Sequence, residues 1–184
     1  MTMANGDSVL IRLPKSSVFE DIAPRVVDLD GDGAPEVIVV ETSLQYGARL
    51  SVYGATGLIA STPHIGRSHR WLAPIGAADL DGDGNVEIAY IDRPHLARQL
   101  KIWRFKGGEL TLVGERGGLT NHKIGQDYIS GGIRDCGAGP QMITANADWS
   151  QIVASVFDGG QIRSADIGQH KGRNAFKRAM ECRM

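Results

Sequence analysis

The sequence predicts an all-β chain of about three four-stranded antiparallel sheets, closed by one short C-terminal helix. Three observations carry this expectation. A nine-residue acidic segment, Asp28-Leu-Asp-Gly-Asp-Gly-Ala-Pro-Glu36, returns 51 residues later as Asp79-Leu-Asp-Gly-Asp-Gly-Asn-Val-Glu87. The apolar runs that follow each copy are short, rich in β-branched residues and bounded by Gly and Asp clusters, a pattern that suits strands. Glycine accounts for 24 of 184 residues, nearly double its ordinary share of ~7%, with no collagen period, and this marks many tight turns.

Taken in order, residues 9–13 read as a lone strand, the last of a sheet whose beginning would lie upstream. The residues just before each acidic loop form a first strand. Residues 37–40 and 88–91 then form the second strand of each repeat, and 49–53 and 99–105 the third. Glycine turns at 54–57 and 106–108 lead into fourth strands at 58–60 and 109–113. A third, eroded copy begins at Ile133 and keeps the meander through 142–145, 152–157 and 161–164 while losing the acidic loop. The repeats span about 17–66, 67–118 and 119–168 of a single repeat domain, 1–184, with a tail at 169–184. In that tail Ala175, Phe176, Ala179 and Met180 form an apolar stripe on a short basic helix, which is expected to dock on the last sheet.

A four-stranded antiparallel meander repeated every ~40–50 residues is the pattern of a β-propeller blade. Closed propellers use four to eight blades. With about three, the ring is expected to be incomplete: a blade lies upstream, or two copies close as a homodimer, or the chain forms an open meander with protected edges.

Twenty Lys plus Arg stand against 21 Asp plus Glu, a formal net charge of −1 that argues against a dedicated nucleic-acid binder. Eight of the acidic residues lie in the two loops, so the other 13 face 20 basic residues and the rest of the chain is basic. No apolar stretch approaches the ~20 residues of a membrane span, and residues 1–7 carry neither the basic start nor the apolar core of a secretory signal.

The loops have the chemistry of metal sites. Asp28, Asp30 and Asp32 occupy alternate positions, which lets a curled loop aim three carboxylates at one centre, with Gly33 permitting the turn. The Ala34 carbonyl and the Glu36 carboxylate would complete an oxygen cage. Asp79, Asp81, Asp83, the Asn85 carbonyl and Glu87 repeat the set. Hard oxygen ligands in a flexible loop favour Ca²⁺ at two sites; magnesium would demand a tighter octahedron. Without metal, four gathered carboxylates repel, and the loops are expected to open. An EF-hand shares the first six positions but needs Glu at position twelve, where this chain has Val39 and Tyr90. In the third copy Ile133, Gly137 and Gln141 replace three ligands and leave Asp135 alone, so that loop is expected to bind no calcium.

At these residues the chain resembles the FG-GAP/VCBS repeat family, the calcium-loop blades of integrin α-chain propellers and of many bacterial surface or exported proteins. Residues 74–84, Pro-Ile-Gly-Ala-Ala-Asp-Leu-Asp-Gly-Asp-Gly, match best, and residues 23–33 match without the glycine. The resemblance covers about 17–168. It implies blades with structural calcium and a role in adhesion, ligand binding or as an accessory module, with no particular partner.

The two cysteines, Cys136 in the eroded loop and Cys182 in the tail, would staple tail to third blade if bridged; the alternative is two free thiols. A bridge, and calcium loops useful at the ~0.1–1 mM calcium found outside the cytosol, favour a periplasmic or extracellular site. His69, Arg70 and Trp71 precede the second loop and His122 and Lys123 precede the third, placing both groups at the start of a blade's first strand, on the face away from the loops. There they would bind an anionic or sugar ligand, with Trp71 as a stacking platform, or serve only as solvated loop residues. No metalloprotease spacing, nucleophile elbow or phosphate loop is present. The reading is a non-catalytic calcium-stabilised module that engages a protein or glycan; the alternative is an enzyme or enzyme subunit of propeller type, a polysaccharide lyase or hydrolase, using the face with His69 and His122.

Overall fold

The computed structural model describes residues 8–183. It consists of fourteen strands in three antiparallel sheets and one helix among these residues. The first sheet holds β1 (Ser17–Phe19), β2 (Arg25–Val27), β3 (Glu36–Ser43), β4 (Gly47–Gly54) and β5 (Gly57–Ser61). The second holds β6 (Leu72–Ala78), β7 (Glu87–Asp92), β8 (Gln99–Lys106) and β9 (Glu109–Gly117). The third holds β10 (Leu119–Thr120), β11 (Gly132–Asp135), β12 (Pro140–Asn146), β13 (Gln151–Phe157) and β14 (Ile162–Gln169), followed by α1 (Arg173–Met180). Each sheet is a meander of sequential strands, as the repeat requires. The chain falls into two compact units, one running to Trp71 with Lys106–Leu110, the other comprising Leu72–Phe105 and the chain from Thr111 onward.

Two of the sheets count five strands because their first strand is broken. In the first sheet β1 leaves Phe19 opposite Glu41 and β2 resumes with Arg25 opposite Ile38, so residues 20–24 face only Val39 and Val40. Asp21 fills the gap: its Oδ2 accepts the Val40 amide at 2.9 Å and is clamped by Arg25 Nη1 at 2.8 Å. Pro24, with no amide hydrogen, could not have continued the ladder. In the third sheet residues 121–131 loop out opposite Thr144 alone, between the Thr120–Ala145 and Gly132–Ile143 pairs. Ser130 N closes the base of that loop on Asn121 O at 2.7 Å. Gly131 is required there: its φ is +84°, and a Cβ would lie 1.9 Å from the Ile143 carbonyl oxygen. In the second sheet the first strand is continuous, with Pro74 tolerated on an edge strand and a bulge between Pro74 and Gly76.

Residues 9–13 are not a strand. Ser8 makes an isolated bridge and residues 9–14 have no regular structure. Val9, Leu10 and Ile11 line an apolar cavity of about 350 Å³ with Phe19, Ile22 and Tyr53.

The middle strands are covered on both faces, which is why their sequences run continuously apolar. All six residues of β7 are buried, as are six of eight in β3. Within the second unit Ile75, Ile91, Leu100, Ile102, Met142 and Phe157 belong to one core cluster. A satellite cluster forms where α1 lays Ala175, Phe176 and Ala179 on Ile143, Ala145, Ile152 and Ala154 of the third sheet. The tail helix therefore docks as its apolar stripe predicts, with Lys177 and Arg178 in its last turn facing the negative end of the helix dipole.

Candidate metal centre

The first acidic loop connects β2 to β3. Asp28 curls it by accepting amides from Gly31 (2.8 Å) and Gly33 (3.0 Å), one per carboxylate oxygen. Asp30 accepts the Asp32 amide at 3.2 Å and Asp32 the Ala34 amide at 2.7 Å. One oxygen from each of Asp28, Asp30 and Asp32 lies within 4.8 Å of the others. An ion bound at 2.3–2.6 Å from each oxygen permits separations up to about 5 Å across it, so this trio fits a calcium-sized cation. Glu36 is buried at the start of β3, and its Oε2 accepts the Leu29 amide at 2.9 Å, which ties the two ends of the loop together. Among the described residues, no basic side chain forms an ion pair with this loop.

The second loop, between β6 and β7, repeats the backbone pattern. Asp79 accepts amides from Gly82 (2.8 Å), Asp83 (3.1 Å) and Gly84 (3.0 Å), and Glu87 Oε2 accepts the Leu80 amide at 2.8 Å. Asp83 Oδ1 takes both the amide and the side-chain Nδ2 of Asn85, each at 2.8 Å. The converging trio here is Asp79, Asp81 and Glu87. What differs is Arg104. From β8, directly opposite Glu87, it donates Nε to Glu87 Oε1 at 2.6 Å, pairs Nη1 with Asp83 Oδ2 at 3.1 Å and donates Nη2 to Asp81 Oδ2. Glu87 has no exposed surface. Burial pushes its carboxyl above the usual carboxylate value, while the Arg104 bond and the Leu80 amide pull it back and Asp81 pushes it further up. Both loops are thus curled closed by their own amides, and in the second a guanidinium answers the carboxylate repulsion expected to open it.

The third loop is held by other means. Asp135 Oδ1 accepts the Gly137 and Gly139 amides at 2.7 and 3.1 Å. Gln141, in the place of Glu36 and Glu87, accepts from Arg134 at 2.9 Å. Cys136 is joined to Cys182 by a disulfide, which fastens the loop to the chain beyond α1.

The remaining sequence-predicted residues fall in separate groups. Trp71 donates Nε1 to Glu20 O at 2.6 Å, so its polar edge is committed to the backbone of the first unit. Arg70 donates to the His69 carbonyl at 3.1 Å, and His69 has φ +55°. In the second unit His122 and Lys123 stand inside the broken first strand, in the 121–131 loop, not at the strand's start. Lys123 Nζ lies 4.6 Å over the Trp149 ring. Motif spacing missed His95, on the β7–β8 connection, whose Nε2 is 3.0 Å from His122 Nδ1. The other nitrogen of His122, Nε2, is 3.0 Å from the Gln126 carbonyl oxygen. A carbonyl only accepts, so His122 carries its hydrogen on Nε2, and its Nδ1 accepts from His95 Nε2. The repeat offset could have flagged no such pair, because His95 has no counterpart in the other copies.

This pair is expected to make the loop pH-dependent. Burial, then neighbouring His122 and Arg98, hold the His95 imidazole below its ordinary value near 6.5. A histidine whose folded pKa is depressed contributes stability that is present above the unfolded value and declines as pH falls below about 6.5. Amide protection factors in residues 121–131, corrected for the intrinsic pH dependence of exchange, are expected to be higher at pH 7.5 than at pH 5.5, with His95→Gln flattening the difference. Equal protection at both pH values in the wild type would show that the pair does not hold the loop.

Also missed were two buried carboxylates at equivalent repeat positions, Glu41 and Asp92. Arg49 grips Glu41 through Nη2 at 2.9 and 3.0 Å, and Ser51 and Tyr53 hydroxyls each donate to it at 3.0 Å. Burial and that carboxylate push the Tyr53 hydroxyl up to about 12. Asp92 pairs with Arg93 at 2.9 Å and Lys101 at 3.5 Å. These networks are already neutralised and belong to the sheets' interior.

No curated protein matches the chain. Residues 21–90, a segment that includes both acidic loops, match the family model of the FG-GAP-like repeat. That match, together with the repeated strand-and-acidic-loop meander, supports an FG-GAP-like repeat family for this segment.

Proposed function

We propose that the protein is a non-catalytic, calcium-binding repeat module in which calcium is structural and the loops away from the acidic turns engage a protein or glycan. The observation that carries this reading is the convergence of Asp28, Asp30 and Asp32 within ion-coordinating distance on a loop that, among the described residues, pairs with no basic side chain. Ala34 and Asn85 would add backbone carbonyls, and Glu36 and Glu87 would anchor the strand that follows each loop. When bound, calcium supplies charge neutralisation and a clamp on the hairpin; the chain's own residues supply the curl. Interaction is supported in the second unit by Lys123 stacked on Trp149 and by exposed Leu96 and Ile124 nearby in the connecting loops. The disulfide suits an oxidising compartment, periplasmic or extracellular.

Thermal melts in EGTA and in millimolar CaCl2 test the reading. A ligand at 100 times its Kd adds about 2.7 kcal/mol, so calcium is expected to raise Tm by roughly 5–10 °C, and Asp28→Asn with Asp32→Asn is expected to remove the first loop's share of the rise. Superimposable melts would overturn it.

A further inference from the structure

We propose that Arg104 is a tethered cation occupying the second acidic loop, so that the two loops are not equivalent: the first is the open cation site, and the second admits a divalent ion only by expelling a guanidinium. This rests on the calcium reading of the loops. The sequence makes the two copies look interchangeable, and the difference arises in the neighbouring strand. In the second sheet the register sets Glu87 opposite Arg104, and the side chain reaches across to Glu87, Asp83 and Asp81 at once. Two of those residues, Asp81 and Glu87, belong to the converging trio that would ligate metal. Guanidinium and metal therefore compete for the same residues.

Among the described residues the first sheet has no equivalent. There Val37 faces Tyr53, so the register brings Glu36 opposite Gly54, which has no side chain to offer. Tyr53, which precedes Arg104 by the repeat offset, instead sends its hydroxyl to Glu41 at 3.0 Å. The third sheet dispenses with the acid altogether, holding Gln141 on Arg134. A guanidinium stays charged at any pH the protein survives, and its planar fork can serve several carboxylates together. Tethered on β8, it competes at a fixed high local concentration, whatever the salt or metal in solution.

The test uses the full chain, stripped with EGTA and titrated with CaCl2 by calorimetry, as wild type, Arg104→Lys, Arg104→Gln and Asp30→Asn. Lysine keeps the charge for folding but cannot bridge three carboxylates. The wild type is expected to show one stronger event, lost in Asp30→Asn, and a second at least about tenfold weaker. Both Arg104 variants are expected to bring the second event up about tenfold or more, towards the first. Two events of equal affinity in the wild type, unmoved in Arg104→Lys, would overturn the proposal.

A melt in EGTA separates this from the calcium reading. Arg104→Gln leaves the buried Glu87 charge unpaired and is expected to lower Tm by roughly 10 °C with no calcium present, whereas Asp30→Asn is not. If the wild type takes up no calcium yet Arg104→Gln still melts low, the calcium reading fails and the tethered cation stands. If Arg104→Gln melts with the wild type, the tethered cation is wrong.

Discussion

Replacing both cysteines by serine, as Cys136→Ser with Cys182→Ser, is expected to lower Tm by roughly 10 °C. The bridge closes a segment of 46 residues that contains β12, β13, β14 and α1. Loop-closure entropy for that length makes the cross-link worth about 4 kcal/mol, chiefly by restricting the unfolded chain. For a chain of this size each kcal/mol corresponds to about 2–4 °C. The effect should be reproduced by reducing the wild type under matched calcium, since the same bond is removed. Melts of the serine variant and the oxidised wild type agreeing within about 2 °C would show that the bridge contributes no stability. The third loop, which keeps only Asp135 of its acidic ligands, would then have to be held by Asp135's amide bonds, the Arg134–Gln141 bond and helix docking.

Phe176→Ala is expected to cost about 3–5 kcal/mol, through the folded state this time. Phe176 is 4% exposed and is the largest side chain that α1 contributes to the third sheet. Its ring meets Trp149 and His170 edge-on, at centroid distances of 6.3 and 5.6 Å. Truncation leaves a cavity beneath a helix of eight residues, too short to persist without its docking surface. The expected readouts are a Tm lower by roughly 10 °C and an altered Trp149 fluorescence at temperatures below the transition. A melt unchanged from the wild type would mean that α1 contributes no packing energy. Because the bridge lies just beyond α1, the serine and alanine variants should not combine additively.

The strands were legible because each repeat writes them three times. Runs such as 37–40 and 88–91 are too short and too β-branched for helices, and glycine marks where each must turn. Both acidic loops were legible for the same reason, since alternation at one, three and five is a local property that the curled backbone at Asp28 and Asp79 simply carries out. The interruptions of the first strands were not legible. Asp21 imitates a strand carbonyl by accepting the Val40 amide, and that depends on where β3 passes, nineteen residues away. The lone strand expected at 9–13 did not form either, and Val9, Leu10 and Ile11 line an apolar cavity there.

By itself, then, the sequence determined the sheets, their order, the helix stripe and the position of the two acidic loops, all of which follow from contacts between residues near one another in the chain, whereas the carboxylates that converge are Asp28, Asp30 and Asp32 without Glu36 in the first loop and Asp79, Asp81 and Glu87 without Asp83 in the second. Only the tertiary structure decided how each loop is held: the first by its own amides, with no ion pair to its carboxylates among the described residues, the second by Arg104, the third by a disulfide. It also brought His95 to His122, 27 residues apart. The physical reason is register. A one-residue difference in how the second and third strands pair places a guanidinium opposite Glu87 and a glycine opposite Glu36, and no local pattern encodes that difference.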